Sequence, residues 1–226
     1  MKVDNLVLSY GNKTALRNVN IEIQPWEYVF VIWYSGSGKT SLIRSMIGDL
    51  KPTSGNIFLD NGSWLYSNKS DKFLSSYRRS IGVIFQDYKL LESKKVFENV
   101  AFAMEVCGYK DPQIQKKVSE ALEQVWLLFK KDKYIYELSG WEKQRVAIAR
   151  SLVHNPKIII WDEPTWNLDP ETAEEVMDIF DELNREWITI IMATHDKAIV
   201  NKYKKRVIAF KDKEVLSDTP KGKYCL

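Results

Sequence analysis

Two cysteines, ten glycines and no long apolar run set the first limits on this 226-residue chain. Cys107 and Cys225 stand far apart with no CxxC spacing, which argues against a disulfide framework or a cysteine-based zinc site. Nothing approaches the ~20 consecutive apolar residues that cross a bilayer. The start, Met1-Lys2-Val3-Asp4-Asn5, lacks the apolar core of a secretion signal, so a soluble intracellular protein is expected. An excess of one charge is missing too: 33 Lys+Arg against 30 Asp+Glu leaves +3, too little to argue for a nucleic-acid partner. Lys202, Lys204, Lys205 and Arg206 form one local basic cluster, read as a solvated helix end in preference to a contact with anionic lipid headgroups. What remains, 45% apolar and 28% charged residues, is the composition of a globular domain with enough chain to bury a core.

Strand and helix patterns alternate, without a repeat or a low-complexity stretch. Residues 28–32, 57–59, 81–85, 158–160 and 189–193 read as strands, the first a short apolar run rich in β-formers. Helical patterns cover 97–106, 113–125 (with Asp111-Pro112 as N-cap and N1), a segment after Ser139, and 171–184 behind Asp169-Pro170. The order predicts an α/β fold: a parallel sheet with helices on both faces, interrupted by a helical insertion.

The strand at 28–32 runs into Ser35-Gly36-Ser37-Gly38-Lys39-Thr40 and then a helical stretch through Leu42, Ile43, Met46 and Ile47. A phosphate loop needs this arrangement, because glycines let backbone N–H groups turn inward and the helix start adds partial positive charge. Lys39 is placed to reach the β- and γ-phosphates, and Thr40 to bind Mg²⁺. Ile158-Ile159-Ile160-Trp161-Asp162-Glu163 is an apolar strand ending in two carboxylates, the first suited to hold Mg²⁺ and the second to polarise water. After other strands, Gln86 can bridge metal and water and His195 can meet a γ-phosphate; Tyr10 can stack on adenine. Taken singly, each has an ordinary structural explanation.

Leu138-Ser139-Gly140-Trp141-Glu142-Lys143-Gln144-Arg145 resembles the LSGGE-x-QR signature of the ABC ATPases, and residues 162–170 are similar to their DEPTGNLDP segment. The resemblance runs from Tyr10 through His195, and residues 78–91, 96–106 and 192–195 look most like the FtsE group of cell-division ATPases. It implies a single P-loop NTPase domain with an N-terminal antiparallel β region. Its α/β core would comprise 1–86 and 154–226, with a helical subdomain at 87–153. It also implies ATP hydrolysis with Mg²⁺ on Thr40, Gln86 and Asp162, Glu163 as base and His195 steadying the γ-phosphate. In a head-to-tail homodimer, Ser139, Gly140 and Glu142 of one copy would face the nucleotide held by Ser35, Gly36, Ser37, Gly38, Lys39, Thr40 and Ser41 of the other, with Asp169 at the seam. The implied partner is an FtsX-like integral membrane protein, which places the chain on the cytoplasmic face of the inner membrane. Lipoprotein-release and macrolide-export ATPases share the GNLD form and stand as the alternative.

Tryptophan is the abnormality: 8 Trp beside 10 Gly, where glycine ordinarily makes up about 7% of a chain. Trp26, Trp33, Trp126, Trp141, Trp166 and Trp187 occupy positions where the resemblance calls for glycine, Trp161 one where it calls for alanine and sometimes glycine, and only Trp64 has no clear expectation. Left-handed backbone angles cost a residue with a Cβ about 1–2 kcal/mol, and an indole beside bound phosphate would exclude it. The pattern is expected of UGA codons that mean glycine but are read as tryptophan. The alternative is substitution that leaves a nucleotide-binding scaffold without turnover. Tyr34, where proline is usual, fits neither account.

Overall fold

The computed structural model describes residues 1–33, 38–59, 62–66, 71–166 and 168–225. It opens with β1 (Lys2–Tyr10) and β2 (Lys13–Glu22), then β3 (Tyr28–Trp33), α1 (Lys39–Met46), β4 (Ser54–Phe58), α2 (Asp71–Arg78) and β5 (Gly82–Ile84). A helical stretch comes next: α3 (Val96–Val106), α4 (Asp111–Gln124), short 3-10 turns at Leu128–Lys130 and Ile135–Glu137, and α5 (Gly140–Leu152). The chain then returns to β6 (Ile158–Asp162), α6 (Pro170–Arg185), β7 (Thr189–Ala193), α7 (Lys197–Tyr203), β8 (Arg206–Lys211) and β9 (Glu214–Thr219).

Two sheets result. β2, β1 and β4 form an antiparallel sheet, and a six-stranded sheet runs in the order β5-β6-β7-β3-β8-β9. The first five of those six strands are parallel and β9 is antiparallel to β8, giving a mixed α/β sheet. Its central strands are buried on both faces, which explains their unbroken Val and Ile runs. Alternate side chains divide between two cores. Phe30, Ile32, Ile159, Trp161, Ile190 and Met192 pack with α3, α4, α5 and α6. Val29, Val31, Ile158, Ile160, Ile191 and Ala193 pack with α1 and the antiparallel sheet.

The expected strands and helices are all present, with corrections at their ends. Lys110 is the N-cap of α4, so Asp111 and Pro112 fall one position further inside than predicted. Pro112 is tolerated there because N–H groups in a helix's first turn have no intrahelical acceptor. The sequence pattern did not reveal α2, α7 or the β8–β9 hairpin; α2, α7 and β9 bury few residues, whereas β8 buries Val207, Ile208, Ala209 and Phe210 in one apolar run. The basic cluster is largely paired within the chain. Lys202 meets Glu174 at 2.5 Å, Lys205 meets Asp181 at 2.9 Å, and Arg206 bridges Glu27 and Asp218.

Candidate active site

Because β5, β6, β7 and β3 are parallel neighbours, the loops at their carboxyl ends leave one edge of the sheet. The carboxyl edge of such a sheet is where ligands bind. Gly38 is the N-cap of α1 with φ 94°, and a Cβ there would stand 2.4 Å from the Ala15 carbonyl oxygen, so only glycine fits. Lys39, Thr40 and Ser41 occupy the first turn, which contains no acidic side chain to offset the positive end of the helix. Ser35, Gly36 and Ser37, together with Tyr34, lie outside the described residues. The Tyr10 hydroxyl is 3.2 Å from Ser41 Oγ, which sets its half-exposed ring beside the same helix start.

Three strand ends converge on one ion-pair network. Lys39 Nζ is 3.0 Å from Asp162 Oδ1 and pairs directly with Glu163 Oε1. Glu163 Oε2 lies 2.6 Å from His195 Nδ1 and accepts from the His195 backbone N–H at 3.3 Å. An ionised carboxylate only accepts, so the imidazole carries its proton on Nδ1 and leaves Nε2 free on a half-exposed ring. Burial pushes the Asp162 carboxyl above its ordinary range, against the opposing pull of Lys39. Glu163 is buried and has φ 55°, an uncommon conformation for a residue with a side chain, held by its N–H donating to Ala193 O at 2.8 Å. Gln86 is exposed two residues beyond the Ile84–Trp161 pair, on the same sheet edge as the two carboxylates.

The remaining predicted residues lie at two other helix starts. Ser139 caps α5: its hydroxyl accepts from Glu142 N at 3.4 Å, and Glu142 Oε2 accepts from Ser139 N at 3.0 Å. Glu142 also pairs with Lys130, so its carboxylate serves the helix start and the neighbouring 3-10 turn. Burial pushes that carboxyl up, but Lys130 and Ser139 outweigh it and hold it below its usual range. Ser139 and Gly140 themselves are exposed. Asp169 caps α6, accepting from Glu171 N, Thr172 N and the Thr172 hydroxyl, which together lower its pKa.

Several positioning residues were given no role by sequence reasoning. Gln144 in α5 is buried and donates to Pro164 O, immediately after Glu163. Arg150, from the same helix, donates to Tyr88 O at 2.5 Å and Lys89 O at 2.7 Å, in the loop just beyond Gln86. Thr165 donates to Asp196 at 3.2 Å, joining the loop after β6 to the one after β7. Asn99, fully buried, spans Leu91 and Lys95 and fixes the turn into α3. Gln144 was visible as a letter of the signature; Arg150, Thr165 and Asn99 carry no local pattern.

The tryptophans take different environments. Trp33, expected to crowd phosphate, is turned into the core and stacks on Phe210 at 4.6 Å. Trp161 is fully buried against Phe180. Trp141 covers the Arg145 guanidinium at 4.1 Å, and Trp166 lies 5.2 Å from the His195 ring.

Residues 16–166 match the ABC transporter family. The chain is 43% identical over 225 residues to the cell division ATP-binding protein FtsE of Streptococcus pneumoniae, covering 99% of this chain and 97% of that one. It is 46% identical over 210 residues to the FtsE of Bacillus subtilis, covering 93% and 91%. Among solved structures, a dimeric ATP-binding cassette in a post-hydrolysis state with ADP and Pi superposes with a TM-score of 0.87 at 33% identity, covering 99% of both chains. This chain belongs to the ABC transporter family, among the ATP-hydrolysing cassettes of the FtsE kind.

Proposed function

We propose that this chain is the ATPase subunit of a bacterial cell-division complex, acting on an FtsX-like integral membrane partner from the cytoplasmic face. The observation that carries the reading is the meeting of Lys39, Asp162, Glu163 and His195 before the start of α1. Hydrolysis then needs little covalent chemistry and much positioning. Lys39 leaves the carboxylates for the triphosphate, and the α1 amides receive phosphate oxygens. Glu163, released from the lysine, accepts a proton from the attacking water. His195 keeps Glu163 oriented through Nδ1 and offers Nε2 toward the γ-phosphate. Tyr10 provides a face for the adenine ring.

The donor set suits magnesium. Thr40 and Gln86 supply hard oxygen donors, and Asp162 a carboxylate. Among the described residues no group of three or more His, Cys, Asp or Glu side chains forms a metal cage, and Mg²⁺ with nucleotide ordinarily takes one or two carboxylates and completes its shell with phosphate and water. When bound, it neutralises charge on the phosphates. Ser139 and Gly140 are exposed at the N-terminus of α5, suited to close on the nucleotide of a second copy in a head-to-tail dimer.

Among the described residues no helix is long and apolar enough to cross a membrane, so the membrane-spanning part is assigned to the partner. Its docking place is a cleft of about 410 Å³ between α2, α3 and the end of α5, lined by Arg78, Phe102, Val106, Arg150 and His154. Phe102 and Val106 are large apolar side chains left exposed on α3. Arg150 links this cleft to the Gln86 loop. The test is co-purification with an FtsX-like membrane protein from the same genome, and ATPase assay with and without it. A stable complex with stimulated turnover is expected; stimulation only by an exporter permease would assign the chain to the export branch instead.

A further inference from the structure

Three tryptophans sit in backbone conformations that belong to glycine. Trp26, Trp126 and Trp187 have φ of 69°, 51° and 69°, a region where a bulky side chain is a true outlier. Their hydrogen bonds identify the motifs. Glu27 N donates to Gln24 O across Pro25-Trp26, a turn with proline second and a left-handed residue third. A type II turn demands glycine, or failing that asparagine, at the third place. At the end of α4, Trp126 N donates to Glu123 O and Leu127 N to Leu122 O. At the end of α6, Trp187 N donates to Asn184 O and Ile188 N to Leu183 O. Both are Schellman endings, whose left-handed residue is usually glycine.

The same chain supplies its own control. After α1, Gly48 N donates to Ser45 O and Asp49 N to Arg44 O, with φ 78° at Gly48. After α3, Gly108 N donates to Glu105 O and Tyr109 N to Met104 O, with φ 82° at Gly108. Four helices therefore end in one geometry, two on glycine and two on tryptophan. Nor do these indoles contribute a core, since Trp26, Trp126 and Trp187 are all more than half exposed. Two other tryptophans are anomalous in a different way: the indole N–H groups of Trp33 and Trp161 are buried without an acceptor, which a buried donor rarely tolerates.

We propose that the native polypeptide carries glycine at all eight tryptophan positions, through a UGA codon that its host reads as glycine. One codon reading accounts for the turn, the two helix endings and the two orphaned donors together. It also deepens the functional reading, on which this part rests. With glycine in place of Trp141 and Trp166, the start of α5 and the surroundings of His195 are free of indole.

The test is peptide mass mapping of the protein isolated from its own host. Peptides spanning residues 26, 126 and 187 are expected with glycine masses, together with UGA at all eight codons. A tryptophan-containing peptide at any of these three positions, or a UGG codon there, overturns the proposal. A second arm compares the chain as written with one carrying all eight Trp→Gly changes, both made in a host of standard code. The restored chain should melt several degrees higher and turn over ATP at least tenfold faster. A lower melting temperature for the restored chain counts against glycine. A restored chain that melts higher, binds ATP and never hydrolyses it counts against the enzymatic reading while leaving the glycine assignment intact.

Discussion

Lys39, the Asp162-Glu163 pair and His195 come from three separate sequence segments, and each alone is an ordinary surface or core residue. Their convergence was legible because each follows an apolar strand, and parallel strands bring their carboxyl ends to one edge. Their pairing was not legible, since it depends on side-chain reach across β3, β6 and β7. Glu163→Gln should lower ATP turnover by at least ~100-fold, the ordinary contribution of a positioned base. Because the amide keeps the side chain's shape, nucleotide binding should persist, as equilibrium binding of a fluorescent ATP analogue would report. The raised pKa of Asp162 carries a separate consequence. A carboxyl that holds its proton more tightly when folded than when unfolded costs stability once pH rises past its folded pKa, and costs nothing where both states are protonated. Asp162→Asn should therefore raise the melting temperature of the nucleotide-free protein at pH 7. The gain should vanish below the ordinary aspartate range, a comparison of thermal melts at the two pH values.

At the scale of elements, α5 is the connecting piece. Its first turn exposes Ser139 and Gly140, its middle holds Pro164 through Gln144, and its last turn holds the 88–89 loop through Arg150. Capping chemistry made its start visible in the sequence, because Ser139 followed three residues later by Glu142 is a capping box. Its outward links could not be seen, since backbone carbonyls as acceptors leave no trace in residue identity. Gln144→Ala should destabilise the fold by ~1–3 kcal/mol, the cost of an unsatisfied buried carbonyl. It should also lower turnover more than ATP affinity, which steady-state kinetics beside direct binding would separate. Ser139→Ala removes a cap worth about 1 kcal/mol. The same change should weaken ATP-dependent dimerisation measured by sedimentation. The α2, α7 and β9 elements were missed for the opposite reason: they are short and partly buried, so their apolar pattern is too sparse to declare a period, whereas the buried run Val207-Ile208-Ala209-Phe210 of β8 was readable and went unread.

As a whole molecule, the protein separates two surfaces by their chemistry. One sheet edge gathers the charged groups around α1, whereas the exposed apolar side chains of α3 line the cleft beneath Arg150. Phe102→Asp should abolish co-purification with the membrane partner while leaving basal turnover within twofold, since Phe102 belongs to the cleft and not to the Lys39 network. Arg150 joins them physically: it lines the cleft and donates to the Tyr88 and Lys89 carbonyls of the loop just beyond Gln86. The Lys39–Asp162–Glu163 contact also bears on the resting protein. With no nucleotide present, the lysine and the two carboxylates neutralise one another, so under the proposed function a ligand must replace both halves of that pairing. A magnesium–triphosphate brings both charges at once, so inorganic phosphate alone is expected to bind far more weakly than Mg-ATP, as titration calorimetry would report.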